Sequence, residues 1–399
     1  MLNFIFILFF STGAFAADQN IKWSEGEHLE LGLHGAAEAC AELGFGKECP
    51  AAKNIPRRDG KVSFSYGELI TSADYYLKPI DLYNDRREGI KKVIKCAHKQ
   101  MHFHNEQEQT GSEEYPGCTF EGIIGMPGYL EVVSKNYAHF GWNNMLAYVK
   151  YHGLALQKAR DSFLTRKTDP TNSRYFLRQA LIYNAYADHY LSDAFASGHI
   201  RVPRAQVARW AEARLSGLVK GKRGDLLTML LHDRESISLK TQKEEGLLVQ
   251  NSAGDRWYTR GDSHLHLNSY PNDPVREIPE QAIKESVKEV LIAWSTGELP
   301  QDIYTATLYV PFYKGVPLSE KLSAKYQGMK QNEFIKAFYS GIPFYERLLH
   351  RKRDLEKMLK ELPTIFGMFR KDVARDLENN PELRLRLPAP YIEAFSAVH

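Results

Sequence analysis

The chain has 399 residues, enough for one large domain or two, and its 43% hydrophobic and 25% charged residues are ordinary for a globular protein. Its formal net charge is only +3, which excludes a strong general attraction to polyanions and disfavours a nucleic-acid partner.

The first residues predict a signal peptide over 1–16. An apolar run at residues 4–10 is too short to span a bilayer, and it is followed by Ala14-Phe15-Ala16, a small-x-small cleavage pattern. No later stretch is long and apolar enough to be a membrane helix. We therefore expect a secreted or periplasmic protein.

The four cysteines agree with export. Cysteines of exported proteins usually form disulfides, and four cysteines allow three pairings. We expect sequence neighbours to pair, Cys40 with Cys49 and Cys96 with Cys118. The alternative is zinc binding by thiolates, but the sequence contains no C-x-x-C spacing.

Hydrophobic periodicity predicts a mainly α chain. The predicted helices cover residues 21–40, 66–77, 142–164, 174–196, 205–231, 280–295 and 319–380. We expect a loop at 46–63, a polar and irregular segment within 80–135, a hairpin at 247–262 and a short strand at 304–313. These boundaries suggest a helical domain at 17–298 and a smaller appended domain at 299–399 with some β structure.

Two of these segments carry alternatives. The excursion between Cys96 and Cys118 contains His98, His102 and His104, which we expect to be exposed polar residues, with metal binding as the alternative. The segment 309–313 is aromatic and could contact a lipid surface, although a buried strand explains its composition equally well.

The strongest chemical signal is His189, Asp193 and His199, at positions i, i+4 and i+10. With about 3.6 residues per turn, His189 and Asp193 lie one above the other on one helix face. Gly198 is a candidate helix end that would turn His199 inward. Two imidazoles and a carboxylate that converge in this way form a ligand set suited to zinc. Ordinary core or surface residues are the alternative for this pattern taken alone.

The H-x3-D-x5-H spacing of these residues resembles the zinc-dependent phospholipase C and S1/P1 nuclease superfamily. Further positions of that family are matched in order by Trp23, His28, Asp74, His139 and Phe140. The resemblance covers residues 23 to about 235, with a large insertion between Asp74 and His139. It looks closest to secreted bacterial phospholipases C of the Legionella and Pseudomonas fluorescens type.

The resemblance implies a phospholipase C/P1 nuclease-like helical bundle with three zinc ions. Its first zinc would be bound by Asp74, His139, His189 and Asp193. Its third would be bound by His28 and the backbone of Trp23, with Asp193 bridging to the first. In the family Trp23 would be the mature N-terminus, whereas cleavage after Ala16 leaves residues 17–22 in front of it.

The second zinc site departs from the family pattern. It would combine His199 and His232 with a carboxylate, either Glu235 or Asp233. His264 and His266 are the alternative ligands at this site. The family's spacing at this site is H-x3-E or H-x3-D. Of the later histidines only His350 with Asp354 has it, and that pair lies far beyond the region of resemblance.

The implied activity is hydrolysis of a phospholipid phosphodiester, phosphatidylcholine or phosphatidylglycerol, at a membrane surface. Asp74 would orient the attacking water or accept its proton. Tyr75, Tyr137 and Phe140 would bind substrate, and Glu25 or Glu27 could add charge beside a choline group held by cation–π attraction. No obligate protein partner is inferred. The alternatives are a single-strand nuclease of the S1/P1 type, in which Phe140 could stack on a base, and a non-enzymatic protein with incomplete metal sites.

Overall fold

The computed structural model describes residues 25–110, 118, 125–126, 128–216, 220–235, 246–261, 274–313 and 352–397. Several predictions concern residues outside this part of the chain: the signal peptide, Trp23, the side chains of His104 and Asp233, and His264, His266 and His350.

The described chain is mainly helical, with short 3-10 turns and two small antiparallel strand pairs. The α-helices are, in chain order, α1 (Glu25–Glu42), α2 (Tyr66–Ser72), α3 (Pro79–Asn84), α4 (Ile90–Thr110), α5 (Tyr129–Ser134), α6 (Trp142–Thr165), α7 (Pro170–Asp193), α8 (Ser197–Ile200), α9 (Arg204–Arg214), α10 (Lys220–Arg234), α11 (Glu277–Thr296), α12 (Lys352–Asn379), α13 (Leu383–Arg386) and α14 (Ala389–Ser396). The strand pairs are β1 (Ile55–Pro56) with β2 (Ser63–Phe64), and β3 (Leu247–Gln250) with β4 (Arg256–Thr259).

The helical hairpin of α6 and α7 forms the centre of the bundle. Pro170 occupies the first turn of α7, and Asp169 caps this helix by accepting a hydrogen bond from the Asn172 N–H at 3.0 Å. Every α7 residue from Asn184 to Asp193 is buried, because α6, α11, α2 and α1 pack around this end of the helix. His189 and Asp193 therefore lie in the interior of the bundle.

Two glycines allow α1 and α2 to pack closely against each other. A Cβ at Gly32 would lie 2.6 Å from the Cα of Gly67, and a Cβ at Gly67 would lie 2.1 Å from the Leu29 carbonyl oxygen. Only glycine at both positions permits this approach of the two backbones. The approach holds the start of α1, which carries His28, beside the end of α7.

Apolar side chains form two neighbouring cores. The first contains side chains of α1, α2, α6, α7 and α11, together with Tyr304, Phe312 and Tyr391. The second contains side chains of α9, α10 and the first half of α12. Described residues on both sides of the expected boundary at 298 thus share the first core, while the boundary itself stays a prediction about how the chain is organised.

The segment expected to be irregular within 80–135 contains the long helix α4. Its buried residues Ile90, Val93 and Ala97 recur every three or four positions, so a narrow apolar stripe is enough to fix a helix whose other residues are polar. His98 lies on α4 and its Nε2 is 2.8 Å from Glu68 Oε1, whereas His102 is exposed.

The strand predicted at 304–313 is wrong. Residues Thr305–Leu308 form a 3-10 helix, in which the Thr307 hydroxyl donates to the Tyr304 carbonyl at 2.7 Å, and only Phe312 makes a bridge, to Gln250. Val310 and Phe312 are 1% and 0% exposed, so these two side chains are core residues and do not contact a lipid surface. The helix predicted at 205–231 is divided into α9 and α10.

Other predictions are confirmed. The hairpin at 247–262 is present as β3 and β4, and the two disulfides join Cys40 to Cys49 and Cys96 to Cys118, each with a Cα–Cα distance of 5.7 Å. Such bonds indicate an oxidising environment. Among the described residues, we find no helix with the length and apolar composition needed to cross a membrane.

Candidate metal centre

Four donor atoms from three segments meet at the end of α7. They are His189 Nε2 and Asp193 Oδ2 from α7, His139 Nδ1 from the turn before α6, and Asp74 Oδ1 from the turn after α2. The atoms are 2.7 Å (His139 and Asp193), 3.1 Å (His139 and His189), 3.4 Å (His189 and Asp74), 3.6 Å (His189 and Asp193) and 3.8 Å (His139 and Asp74) apart. Ligands about 2.0 Å from one tetrahedral ion are about 3.3 Å from each other. The spacing of His139, His189 and Asp193 therefore suits a single ion, and Asp74 Oδ1 lies within 3.8 Å of both histidines.

α1 brings a further imidazole to the other oxygen of Asp193. His28 Nε2 lies 3.5 Å from Asp193 Oδ1, and His28 can share a metal with Asp74 and His189. The Ser192 hydroxyl donates to the His189 carbonyl and lies 2.8 Å from His28 Nδ1, so it accepts the proton of that nitrogen. This bond selects the tautomer whose Nε2 lone pair faces Asp193.

The turn after α7 supplies His199. Its Nδ1 donates to the His139 carbonyl at 2.7 Å, and its ring stacks on Phe140 with the centroids 4.5 Å apart. The Gly141 N–H donates back to the His199 carbonyl at 2.6 Å. These paired bonds join the two histidine turns, and they leave His199 Nε2 as the nitrogen that can bind a metal.

The electrostatics of the cluster favour the neutral imidazole at His28 and His139. Burial lowers the pKa of His28 to about 4, with a further contribution from His189, and burial holds the pKa of His139 well below its ordinary value. Burial also opposes charge on His189, but Asp74 and Asp193 outweigh it and raise the pKa of that imidazole. Burial raises the pKa of Asp193, whereas the histidines lower the pKa of Asp74 against the effect of burial.

The donor set fits a bound cation. Imidazole binds metal in its neutral form, and two of the histidines are held neutral near pH 7 by burial. Two groups of residues can hold an ion, His28 with Asp74 and His189, and His139 with His189 and Asp193. An ion placed there would also offset the proximity of the Asp74 and Asp193 carboxylates.

Comparisons with protein-family models, curated proteins and solved structures found no match. The geometry of the cluster is therefore the observation on which a function must be argued. The resemblance to zinc-dependent phospholipases C stays a hypothesis that the cluster can support through its chemistry.

The expected second site is less complete. The His232 ring lies 4.9 Å from that of His199 between centroids, close enough for both imidazoles to face one ion. The Glu235 carboxylate, in contrast, accepts from Arg201 Nε at 2.8 Å and from Arg201 Nη2 at 2.5 Å. The prediction that Glu235 binds metal therefore stays a prediction, and in this structure its Oε1 binds a buried arginine.

The three expected substrate-binding aromatics lie in different surroundings. Tyr75 is buried, stacks on Tyr129 with the centroids 4.9 Å apart, and donates to Glu25 Oε1 at 2.6 Å. Tyr137 is half-buried and lines a cleft beside His139. Phe140 is buried against His199 and the Arg204 guanidinium, so its contacts orient a candidate ligand.

Sequence reasoning missed Ser192, which orients His28, and Gly141, which joins the two histidine turns. The signal for Ser192 was available, because a hydroxyl one residue before Asp193 lies on the same buried end of α7. Gly141 carried no such signal, since its role depends on the distant carbonyl of His199.

We expect Gly141→Ala to destabilise the protein and to reduce its metal content. Gly141 has φ +57 and ψ −135, a conformation that an L residue adopts at a cost of about 1–3 kcal/mol. The control is Gly367→Ala within α12, where a Cβ would meet nothing closer than 3.8 Å and alanine should be neutral or stabilising. Thermal unfolding and metal analysis of both variants test this, and equal behaviour of the two would contradict it.

Proposed function

We propose that the chain is a zinc-dependent phospholipase C, which hydrolyses the phosphodiester of a glycerophospholipid to diacylglycerol and a phosphorylated head group. The observation that carries the proposal is the convergence of the donor atoms of Asp74, His139, His189 and Asp193, which lie 2.7 to 3.8 Å apart in five of their pairs. The ligand types, with His28 beside the other oxygen of Asp193, are those that zinc prefers, and they are the types that the resemblance implies.

Bound zinc would lower the pKa of water and neutralise charge on the phosphoryl oxygens. The chain's own residues hold the geometry for this chemistry. Ser192 and the His139 carbonyl fix the orientation of His28 and His199, respectively. Asp74 is the most exposed carboxylate of the cluster, with 26% of its side chain accessible, and its lowered pKa keeps it ionised. It can therefore accept a hydrogen bond from an attacking water and align it.

The surroundings of Asp74 support a cationic head group. Glu25 and Tyr75 are hydrogen-bonded to each other directly beside Asp74, and Tyr129 stacks on Tyr75. A carboxylate next to aromatic rings attracts a quaternary ammonium by charge and by cation–π interaction. Tyr75 itself is buried, so the half-buried Glu25 and Tyr129 are the members of this group that a head group could reach. On this basis we propose phosphatidylcholine rather than phosphatidylglycerol as the substrate.

No described feature favours the nuclease alternative. The base-stacking residue of that hypothesis, Phe140, is 6% exposed and packs on His199. Single-stranded DNA remains the appropriate negative substrate, because the same zinc chemistry would cleave it if it could bind.

The test compares hydrolysis of phosphatidylcholine, phosphatidylglycerol and single-stranded DNA, each with and without a chelator. We expect phosphatidylcholine to be the preferred substrate, with activity lost to the chelator and restored by zinc. Asp74→Asn should reduce the rate by about 10²–10³-fold. Lipid hydrolysis that persists without metal would exclude the mechanism, and cleavage of DNA alone would assign the chain to the nuclease branch.

A further inference from the structure

A cleft of about 430 Å³ opens directly beside the metal cluster. Its lining includes Ala73, Leu77, Val132, His139 and Leu146. His139 thus belongs both to the cluster and to the cleft. A molecule that occupies this cleft, which we call the His139 cleft, would have its end at the candidate metal ligands.

Exposed apolar side chains flank the mouth of the His139 cleft. Leu77 is 40% exposed, Ile80 38% and Val133 37%, which is unusual for large aliphatic residues beside a site. Leu77 lines the cleft itself and Ile80 follows it on α3, while Val133 lies on α5 directly after the lining residue Val132. The exposed apolar residues therefore come from two separate segments that border the cleft.

Lysines accompany these apolar residues. Lys135 and Lys150 line the cleft and Lys78 lies between Leu77 and Ile80, and all three are exposed. None of the described residues that line the cleft is acidic. Lys135 bonds Glu131 at 2.6 Å, but a pair this exposed contributes little and leaves the lysine able to bind another anion. The mouth thus combines apolar side chains with positive charge.

Tyrosines complete the lining. Tyr76, Tyr137, Tyr151 and Tyr190 line the cleft, and tyrosine has the amphipathic character that suits the boundary between head groups and hydrocarbon. A folded protein could cover this opening, but it could not place a reacting group inside it. A single lipid molecule can extend from a bilayer into a cleft of this size.

We propose that this docking face, formed by Leu77, Lys78, Ile80, Val133, Lys135 and Lys150, binds an anionic phospholipid surface. The proposal rests on the proposed function and identifies where that function meets its substrate. The aliphatic side chains enter the acyl boundary, the lysines contact lipid phosphates, and the His139 cleft takes the glycerol and first acyl carbons of the lipid to be cleaved. The contact predicted for residues 309–313 is replaced by this face.

The test is sedimentation of the full chain with vesicles of phosphatidylcholine and phosphatidylglycerol in equal amounts, with a chelator present to prevent turnover. We expect Ile80→Asp combined with Val133→Asp to weaken binding at least about tenfold. Leu164→Asp combined with Leu385→Asp makes the same change of charge at residues that are 61% and 58% exposed and lie outside the docking face, and it should bind as the parent does.

A second measurement separates this proposal from the proposed function. Hydrolysis of a short-chain phosphatidylcholine below its micelle concentration needs no surface, so the Ile80 and Val133 variant should retain it within about twofold while losing activity on vesicles. If the parent cleaves no monomeric lipid, the proposed function fails, whatever the vesicles show. If both double variants bind vesicles as the parent does, or lose binding equally, or if the parent does not bind, the docking face is overturned. Thermal unfolding verifies that each variant is folded, and Lys135→Glu with Lys150→Glu provides an independent disruption of the same face.

Discussion

Replacing His189 with alanine is expected to empty the metal centre and to reduce phosphodiester hydrolysis by about three orders of magnitude. The Nε2 of His189 lies within 3.1 to 3.6 Å of donor atoms on His139, Asp74 and Asp193, so it contributes to both groups that can hold an ion. Its loss leaves the carboxylates of Asp74 and Asp193 without the histidine that does most to lower their pKa values. The variant should therefore bind a cation more weakly, because one metal ligand is missing.

Metal analysis and turnover of the purified variant measure this effect. His34→Ala is the control, because His34 is a half-exposed histidine that pairs with Glu280 and Arg276 at the surface. His189→Gln keeps the volume of the side chain and should lose metal as the alanine variant does. A His189 variant that retains metal and full turnover would remove the cluster from any account of function.

We expect His152→Leu to produce the largest loss of stability, about 3–5 kcal/mol. His152 lies between two acceptors, with Nδ1 2.6 Å from Asn184 Oδ1 and Nε2 2.7 Å from Glu289 Oε2. Both nitrogens therefore face an acceptor, and Nε2 forms a buried pair with the Glu289 carboxylate. Leucine at 152 would remove the partner of Glu289 Oε2 and leave this carboxylate buried, bonded to Thr305 through its other oxygen.

Two variants sharpen the comparison. His34→Leu removes a histidine from the same type of pair, to Glu280 of α11, but at the surface, where the loss should stay below about 1 kcal/mol. Replacing His152 and Glu289 together by leucine should recover much of the stability, because a buried pair is often no better than apolar packing. Denaturant unfolding measures all three. A His152 variant as stable as the His34 variant would contradict the assignment of a buried ion pair.

The pH dependence gives a further check on the same pair. Burial opposes the charge of Glu289, but His152 and the Thr305 N–H outweigh it and lower the pKa of the carboxyl group. A lowered carboxyl pKa contributes stability above the unfolded pKa of about 4.5, and this contribution is lost as the pH falls through the folded value. The difference in free energy of unfolding between the parent and His152→Leu should therefore be larger at pH 7 than at pH 4.

The sequence predicted those features that depend on local spacing. The i, i+4 relation placed His189 and Asp193 on one face of α7, and export together with chain proximity predicted both disulfides. Only the family resemblance predicted that Asp74 and His139 would lie beside these two residues, because their convergence depends on how α2, α6 and α7 pack.

What the sequence could not predict depends on contacts between distant segments. Glu235 is a carboxylate at the position where a ligand is expected, but it binds the buried guanidinium of Arg201. The spacing of the two residues in the sequence does not indicate this pair. No sequence pattern indicated a role for His152, because its two hydrogen-bond acceptors lie on α7 and α11, far away in the chain. The aromatic segment at 304–313 satisfied strand composition but is fixed by packing as a 3-10 turn.

The crossed hydrogen bonds between the turns of His139 and His199 make the loading of neighbouring ions interdependent. The carbonyl of His139 orients His199, and the carbonyl of His199 anchors Gly141, two residues after His139. An ion that immobilises one turn therefore lowers the entropic cost of ordering the other, which is positive cooperativity. Titration of metal-free protein should then show steep rather than stepwise uptake, and partly loaded molecules should be scarce.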